Sequence, residues 1–171
     1  MKTNWSKKLW CVGFNEFRKI ALENGWDKEV PSDVAIISIS CSEQCGGNSE
    51  PHVCSPGSNV LNLEFDDVSP EAFGLDDNAT EHTYSDSVDN TTTVKFFTSM
   101  QAAKAVRFIT KNVYKNFYIH CSAGVSRSQA FVKYIKNTYD MDWITNPNNP
   151  CIFPNGFVYS KLMEASRTYC G

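Results

Sequence analysis

The sequence has 171 residues, a formal net charge of −3 at pH 7 and a hydrophobic content of 42%. A chain of this length is expected to fold as one domain, residues 1–171, around one substantial hydrophobic core. The negative net charge argues against a dedicated nucleic-acid-binding or membrane-surface protein, because such proteins carry clustered basic residues.

The N-terminal residues and the cysteines bear on the cellular compartment. No apolar run follows the charged residues near the N-terminus, and no stretch approaches the length that spans a membrane. The seven cysteines are an odd number and lack the spacing of a disulfide framework. Reduced thiols and a cytoplasmic location are therefore predicted.

The first part of the chain contains three predicted elements. A short strand is expected at 9–12, followed by a helix that Asn15 would cap and that stops near Asn24. Residues 34–40 form a β-branched, nearly continuous apolar run. Such a run predicts a central strand buried on both faces.

Residues 41–58 are polar and rich in glycine, proline and serine, which predicts a surface loop. The loop contains ligand types suited to zinc at Cys41, Cys45, His52 and Cys54. Their spacing matches no common zinc site, so free thiols in an ordinary loop are the favoured interpretation and a structural zinc is the alternative. No metal is assigned to the protein.

The middle of the chain alternates between regular and irregular patterns. Residues 60–65 alternate apolar and polar side chains, which predicts a strand leading to Asp66 and Asp67. Residues 76–93 are polar and are expected to be a surface loop, either a specificity element or a solvated connector. A helix is predicted over 95–111. Its apolar stripe comprises Phe96, Phe97, Met100, Ala103, Val106 and Ile109.

The last part begins with a predicted strand at 117–120 and a buried helix that starts at Arg127. A turn rich in proline and asparagine then precedes a last helix that Asn155 is placed to cap.

The most informative motif runs from His120 to Ser128 and reads His-Cys-Ser-Ala-Gly-Val-Ser-Arg-Ser. A loop of small residues between Cys121 and Arg127 can turn successive backbone N–H groups inward towards an anion. The start of a helix adds the positive end of its dipole. This positive field favours the thiolate form of Cys121, which is therefore a candidate nucleophile in phosphate chemistry.

Each residue of the loop has a predicted part in binding a phosphate. Arg127 is expected to contact two equatorial oxygens, and the loop amides are expected to complete the cradle. The cradle residues are Ser122, Ala123, Gly124, Val125, Ser126 and Arg127. Because the guanidinium and the amides supply positive charge, no metal or other cofactor is required.

Three further side chains have subsidiary predicted roles. Ser128 is placed to donate to the departing thiolate, or else it bonds backbone in the first turn of the helix. His120 is expected to support Cys121 from beneath the loop, since a general acid stands on the other side of the phosphate. Asn155 either braces the loop or simply caps the last helix.

The motif resembles the signature loop of the cysteine-dependent protein tyrosine phosphatases, and the closer match is to the dual-specificity branch. Two flanking stretches support this resemblance. Residues 60–67, Val-Leu-Asn-Leu-Glu-Phe-Asp-Asp, resemble the strand and general-acid loop of that branch, and residues 150–157, Pro-Cys-Ile-Phe-Pro-Asn-Gly-Phe, resemble the segment that follows the signature loop. The sequence departs from the usual pattern at Asn149, where an arginine is common, and in the long polar stretch 76–93.

The resemblance implies an α/β domain with a central mixed sheet of about four to five strands and helices on both sides. It also implies hydrolysis of phosphotyrosine, and of phosphoserine or phosphothreonine as a second class, through a cysteinyl-phosphate intermediate. The expected partner is a phosphorylated protein, without a membrane or a nucleic acid. The absence of extra basic residues at 122–126 argues for a protein rather than a lipid substrate.

The resemblance places the general acid at Asp67, two residues after Phe65 and four after Leu63. Strand alternation agrees, since Asp66 would continue the solvent-facing set while Asp67 shares the parity of the apolar residues. In the alternative assignment both are solvated carboxylates. The acid would then come from Glu71, Asp76 or Asp77.

Two other functions use the same loop. A non-catalytic phosphopeptide-binding module is one, although such modules typically lose the cysteine, the arginine or the acid. An RNA 5′-triphosphatase is the other, and the negative net charge argues against it. A reversible disulfide between Cys121 and Cys41 is a further hypothesis, based only on the expected adjacency of their strands.

Overall fold

The computed structural model describes residues 7–42, 51–85, 90–139, 141–144 and 152–169. In this part of the chain it contains seven strands and four α-helices. The strands are β1 (Lys8–Gly13), β2 (Val34–Ser40), β3 (Val60–Glu64), β4 (Glu81–Ser85), β5 (Thr91–Lys95), β6 (Asn116–Cys121) and β7 (Asp142–Ile144). The α-helices are α1 (Phe14–Glu23), α2 (Ser99–Asn112), α3 (Arg127–Thr138) and α4 (Gly156–Tyr169).

Five strands form one sheet in the order β3-β2-β6-β1-β7, and all four pairings in it are parallel. Strands β4 and β5 form a separate antiparallel pair. The predicted α/β class is confirmed. The sequence predicts one mixed sheet, and this detail is wrong. The five-stranded sheet is entirely parallel, and the antiparallel pairing lies in the separate pair of β4 and β5. Strand β7 was not predicted.

The helices cover both faces of the five-stranded sheet. Helices α2, α3 and α4 share one apolar cluster with the sheet, and α1 packs in a second cluster on the other face. In β2, Ile37 belongs to the first cluster and Ile36 to the second, because successive side chains of a strand point to opposite faces. The prediction that 34–40 is buried on both faces is confirmed, since all seven residues are buried.

Two helix starts differ from the prediction. Helix α1 begins at Phe14 with Gly13 at its N-cap, so Asn15 lies inside the helix and does not cap it. Helix α2 begins at Ser99 rather than near 95, because Thr98 and Gln101 form a reciprocal capping box. Phe96 and Phe97 are buried before the helix, whereas Met100 is 82% exposed and does not belong to the apolar stripe.

The surface loop predicted over 76–93 is wrong for much of its length. Strands β4 and β5 pair there, with Thr83 opposite Thr93 and their hydroxyl groups 2.7 Å apart. β-Branched threonines suit a half-exposed strand although they are polar, so a polar stretch was mistaken for a loop. Residues 86–89 lie outside the described residues.

The loop predicted over 41–58 is described only at 41–42 and 51–58, where it has neither a helix nor a strand. Cys41 and Cys54 are free thiols, and His52 hydrogen-bonds the Ser38 hydroxyl at 2.7 Å. Among the described residues no three or more potential ligands gather as a metal site would require. Cys45 is outside that range, so the zinc alternative stays a prediction.

None of the helices in the described ranges has the length and apolar character needed to cross a bilayer. Asn149 and the rest of the turn at 146–150 lie outside the described residues.

Candidate active site

Cys121 is the last residue of β6, the middle strand of the five-stranded sheet. In an open parallel sheet, ligands bind at the carboxyl ends of the strands, which is where Cys121 lies. Its Sγ is 3.1 Å from the Ser128 hydroxyl oxygen and accepts a 3.3 Å hydrogen bond from the Gly124 N–H. Cys121 is 2% exposed, so this thiol is held in a fixed and nearly dry position.

Gly124 sets the tight turn of the loop that follows. Its φ of +74° is in the left-handed region, and a Cβ there would lie 2.6 Å from the Val12 carbonyl carbon. Only glycine meets both conditions, since a side chain would be strained and would also collide with β1. The loop therefore packs directly on the backbone of the neighbouring strand.

The carbonyl groups of the loop are bonded to its surroundings. Four loop carbonyl oxygens, those of Ser122, Gly124, Val125 and Ser126, accept hydrogen bonds from outside the loop. Their donors are the Phe14 N–H (3.0 Å), the Gln129 Nε2 (2.9 Å), the Phe153 N–H (3.0 Å) and the Asn155 N–H (3.2 Å), respectively.

In a trans peptide the N–H points away from the carbonyl of the same unit. The N–H groups of Val125, Ser126 and Arg127 consequently face away from these partners and towards the interior of the loop. Helix α3 begins at Arg127, so the positive end of its dipole meets the same space. Such inward N–H groups are what an anion-binding nest requires, and the binding of an anion there stays a prediction.

Arg127 is 6% exposed and has two fixed guanidinium nitrogens. Nη1 donates to the Phe65 carbonyl at 2.8 Å, and Nη2 donates to the Ser122 hydroxyl at 2.9 Å. Nε is buried and has no hydrogen-bond partner among the described residues. An unused donor on a buried cation suits an anion bound within the loop.

Asp67 lies beside the loop although it comes from the segment after β3. Its Oδ1 accepts a 2.8 Å hydrogen bond from the Ser126 hydroxyl and another of 2.8 Å from the Asn155 side-chain amide. The structure therefore brings Asp67 to the loop that holds Cys121 and Arg127. Of the alternative acids, Asp76 bonds to Asn78 within its own turn, and that contact lowers the pKa of Asp76.

The expected solvent exposure of Asp66 is wrong. Asp66 is 1% exposed, and its carboxylate accepts hydrogen bonds from the Ser42 N–H, the Ser42 hydroxyl and the Lys95 N–H. Strand alternation does not apply here because β3 ends at Glu64, two residues earlier. Asp66 instead ties the end of β2 to β5 and fixes the backbone that carries Asp67.

Asn155 has both of the roles that the sequence left open. Its Oδ1 accepts the Val158 N–H at 3.0 Å and so caps α4. Its side-chain amide donates to Asp67, and its backbone N–H donates to the Ser126 carbonyl. One residue thus joins the last helix, the loop and the candidate acid.

His120 is buried beneath the loop, with its ring stacked on Phe17 at a centroid distance of 4.1 Å. Burial lowers the pKa of His120 to about 3, so the ring is neutral at physiological pH. Neither ring nitrogen makes a hydrogen bond of normal geometry within the described part of the chain. His120 thus packs against Phe17 beneath the loop, and its role as a support for Cys121 stays a prediction.

Sequence reasoning missed Cys11, on β1. Its Sγ is 3.2 Å from the Ser128 hydroxyl oxygen and 3.6 Å from the Gly124 carbonyl oxygen. Burial raises the pKa of Cys11 to about 12, so the thiol is protonated and can donate. The Ser128 hydroxyl thus contacts both Cys121 and Cys11. Cys11 lies near Cys121 because β1 pairs with β6. The spacing of residues in the sequence does not indicate that pairing. The strands that lead to Cys41 and Cys121 are neighbours, as expected, and both thiols are free, so the reversible disulfide between them stays a prediction.

The remaining cradle residues also lie where the sequence predicts. The Ser122 hydroxyl supports Arg127, Ala123 is exposed, and Val125 is half-buried next to the segment that carries Phe153. No family model matches the sequence, and no curated protein is detectably similar to it.

Proposed function

We propose that this chain is a cytoplasmic protein phosphatase of the dual-specificity type, which hydrolyses phosphotyrosine and, as a second class, phosphoserine and phosphothreonine. One observation carries the proposal. A buried thiol, a guanidinium with an unused Nε donor and a carboxylate from a distant segment converge on the loop 121–127. These are the nucleophile, the oxyanion ligand and the proton donor that phosphoryl transfer requires.

In the first step the Cys121 thiolate attacks the phosphorus of the bound ester. The S–P bond forms as the P–O bond to the leaving group breaks, and protonated Asp67 gives its proton to the departing oxygen. Arg127 and the N–H groups of the loop bind the equatorial oxygens, whose charge they stabilise in the transition state. The products are a cysteinyl phosphate and the free alcohol or phenol.

In the second step water attacks the same phosphorus. Asp67, now a carboxylate, takes a proton from that water, and the S–P bond breaks to release inorganic phosphate. The departing sulfur receives the bonding electrons as a thiolate. The Ser128 hydroxyl, 3.1 Å from Sγ, and the Gly124 N–H, 3.3 Å from Sγ, stabilise that charge.

The residues of the loop favour a single phosphate group on a protein side chain. Between Cys121 and Arg127 the sequence has Ser122, Ala123, Gly124, Val125 and Ser126, none of which is cationic. Arg127 is therefore the one basic side chain of the loop. A substrate with several phosphates would leave part of its charge without a partner there.

The test compares phosphate release from a phosphotyrosine peptide with release from a triphosphate-ended RNA. We expect turnover of the peptide by the parent protein and by Cys54→Ser, which replaces another buried free thiol. Cys121→Ser should abolish turnover and retain peptide binding, because the hydroxyl has no base to activate it. Arg127→Ala should lose both turnover and binding.

Three results would reject the proposal. They are turnover of the RNA alone, turnover of neither substrate, and full turnover by Cys121→Ser. Equal peptide affinity in Cys121→Ser and Arg127→Ala would reject the role assigned to Arg127.

A further inference from the structure

Positive charge is concentrated in one stretch of this acidic protein. Residues 90–139 contain no Asp or Glu, although the whole chain has a net charge of −3. The same stretch contains eight basic residues, Lys95, Lys104, Arg107, Lys111, Lys115, Arg127, Lys133 and Lys136. Arg127 belongs to the candidate active site. The three basic residues of α2, Lys104, Arg107 and Lys111, form a separate group.

Lys104, Arg107 and Lys111 are exposed and lie at helical positions i, i+3 and i+7 of α2. This spacing places them on one face, along about 10 Å of the helix axis. No carboxylate within the described residues forms an ion pair with any of the three. Arg107 instead packs against the Tyr169 ring, with Cζ 6.0 Å from the ring centroid.

The three cations do not stabilise α2 as a group. Like charges three or four residues apart on a helix repel each other and lower its stability by a few tenths of a kcal/mol per pair. Lys111 is in the last turn, where the helix dipole favours a cation, but Lys104 and Arg107 are in the middle of the helix. Binding of an anionic partner accounts for their placement better than helix stability does.

These side chains border a cleft of about 360 Å³ between α2 and the edge strand β3. Exposed Pro56 and half-buried Phe108 give the cleft apolar surface. The start of β3 forms the floor of the cleft, and residues 54–58 cover its outer edge through the bridge between Gly57 and Val60 and a 3.0 Å hydrogen bond from the Asn62 amide to the Cys54 carbonyl. An extended chain suits a cleft of this kind because its alternate side chains point to one wall.

We propose that this cleft, bordered by Lys104, Arg107 and Lys111, binds an extended acidic segment of a partner protein. Alternate acidic side chains of such a segment are about 6.6 Å apart, and the cations are about 4.5 Å and about 6 Å apart along the axis of α2. The apolar side chains between them would contact Pro56 and Phe108.

A single-stranded nucleic acid fits the same cleft less well. Base stacking needs an open aromatic face. Phe108, the aromatic residue that lines the cleft, is already packed edge-on against Phe117, with their ring centroids 6.4 Å apart.

The cleft is separate from the candidate active site. Val60 begins β3, whereas Cys121 ends β6 and Asp67 follows the end of β3, so the two sites lie at opposite ends of the parallel strands. Recruitment of a phosphorylated substrate through this cleft rests on the phosphatase activity proposed above. Binding of the acidic segment does not depend on that activity.

The direct test measures binding of a fluorescein-labelled peptide with the repeating sequence Asp-Leu, by fluorescence anisotropy. The combined variant Lys104→Glu, Arg107→Glu, Lys111→Glu should bind at least about tenfold more weakly than the parent protein. The matched control is Arg18→Glu, Lys19→Glu, Lys28→Glu. It makes the same charge change at exposed positions in α1 and the turn after it, on the opposite face of the sheet.

The control should bind like the parent protein, and added salt should weaken both. A second cleft variant has glutamine at the same three positions. It removes the positive charges without placing an acidic residue in the last turn of α2, so a loss of peptide binding in this variant is not a result of unfolding. Absence of peptide binding to the parent protein would overturn the proposal, as would equal loss in the cleft and control variants. Binding of a single-stranded oligonucleotide in place of the peptide would also overturn it.

A kinetic test separates this proposal from the phosphatase proposal. A phosphotyrosine peptide extended by the acidic segment should have a lower KM than the phosphotyrosine peptide alone. The glutamine cleft variant should remove that difference and leave kcat unchanged. If no phosphopeptide is hydrolysed, the phosphatase proposal fails while the binding result still decides the cleft. If both peptides have the same KM, the recruiting role fails alone.

Discussion

The Ser126 hydroxyl donates a 2.8 Å hydrogen bond to Asp67 Oδ1, although the two residues are 59 positions apart in the sequence. The Asn155 amide donates to the same oxygen at 2.8 Å. An oxygen that accepts two hydrogen bonds is a poor site for a proton, so a protonated Asp67 carries its proton on Oδ2. In the phosphatase that we propose, these two contacts hold Asp67 beside the loop of Cys121.

Asp67→Asn should slow substrates with poor leaving groups most. Asparagine keeps an acceptor for Ser126 and Asn155 but has no acidic proton, and proton donation matters most when the leaving oxygen is strongly basic. We expect a loss of about 100-fold in kcat with phenyl phosphate and a clearly smaller loss with nitrophenyl phosphate. Steady-state kinetics with the two esters measures this difference.

Asp66→Asn is the matched control for that experiment. It removes the charge of a buried carboxylate that accepts hydrogen bonds from Ser42 and Lys95. The expected result is a free energy of unfolding lower by roughly 1–3 kcal/mol, with similar effects on the two esters. Asp67 is not the general acid if Asp67→Asn slows both esters by the same factor. The same conclusion follows if Asp66→Asn shows the dependence on the leaving group instead.

Asn155→Asp separates the two roles of Asn155. Aspartate retains an acceptor for the Val158 N–H and therefore keeps the cap of α4. It loses the donor to Asp67 and places a like charge beside that carboxylate. We expect the free energy of unfolding to change by less than about 1 kcal/mol. Turnover of phenyl phosphate should fall about tenfold.

Asn155→Ala is the comparison for this experiment, because it removes the cap as well as the donor. It should lose stability in addition to activity. If Asn155→Asp retains full turnover of phenyl phosphate, the contact with Asp67 does not position the acid.

Gly124→Ala tests the packing of the loop on β1. The new Cβ would lie 2.6 Å from the Val12 carbonyl carbon at a φ of +74°, so the loop must move. Gly74→Ala is the control, because its φ is +67° but no atom lies within 4 Å of the added Cβ. The control should cost about 1–2 kcal/mol in the free energy of unfolding, from backbone strain alone. Gly124→Ala should cost more and abolish turnover. If Gly124→Ala and Gly74→Ala lower the free energy of unfolding equally, the loop at Gly124 does not pack closely against Val12.

The sequence predicts the local features of the site well. The spacing from His120 to Ser128 is enough to place a thiol, a cradle and a guanidinium on one turn, because neighbouring residues determine the shape of that turn. The apolar run at 34–40 predicts a doubly buried strand for a similar reason, since burial on both faces leaves no polar alternation.

Features that depend on distant contacts are not predictable in this way. Asp66 looks like a solvated carboxylate until Ser42 and Lys95 supply its donors from other segments. Cys11 joins the site only because β1 pairs with β6. The pairing of β4 with β5 is hidden because most of their side chains are polar and at least partly exposed, a pattern that a surface loop shares.

The last prediction concerns His120 and the dependence of stability on pH. Burial lowers the pKa of this imidazole from 6.5 to about 3, so the folded protein keeps the ring neutral. The unfolded chain takes up a proton below about pH 6.5, and the folded protein does so only near pH 3. The unfolded state therefore binds more protons between these values, and the free energy of unfolding falls as the pH falls. The slope from this residue is at most about 1.4 kcal/mol per pH unit.

His120→Phe keeps an aromatic ring against Phe17 and removes the titrating group. Burial also lowers the pKa of His52, so the comparison is best made with His52→Asn present in both proteins. Urea denaturation at about pH 7 and about pH 5 should show a smaller fall in the free energy of unfolding once His120→Phe is added, by up to about 2 kcal/mol. Parallel pH profiles for the two proteins would mean that His120 is not held neutral in the folded state.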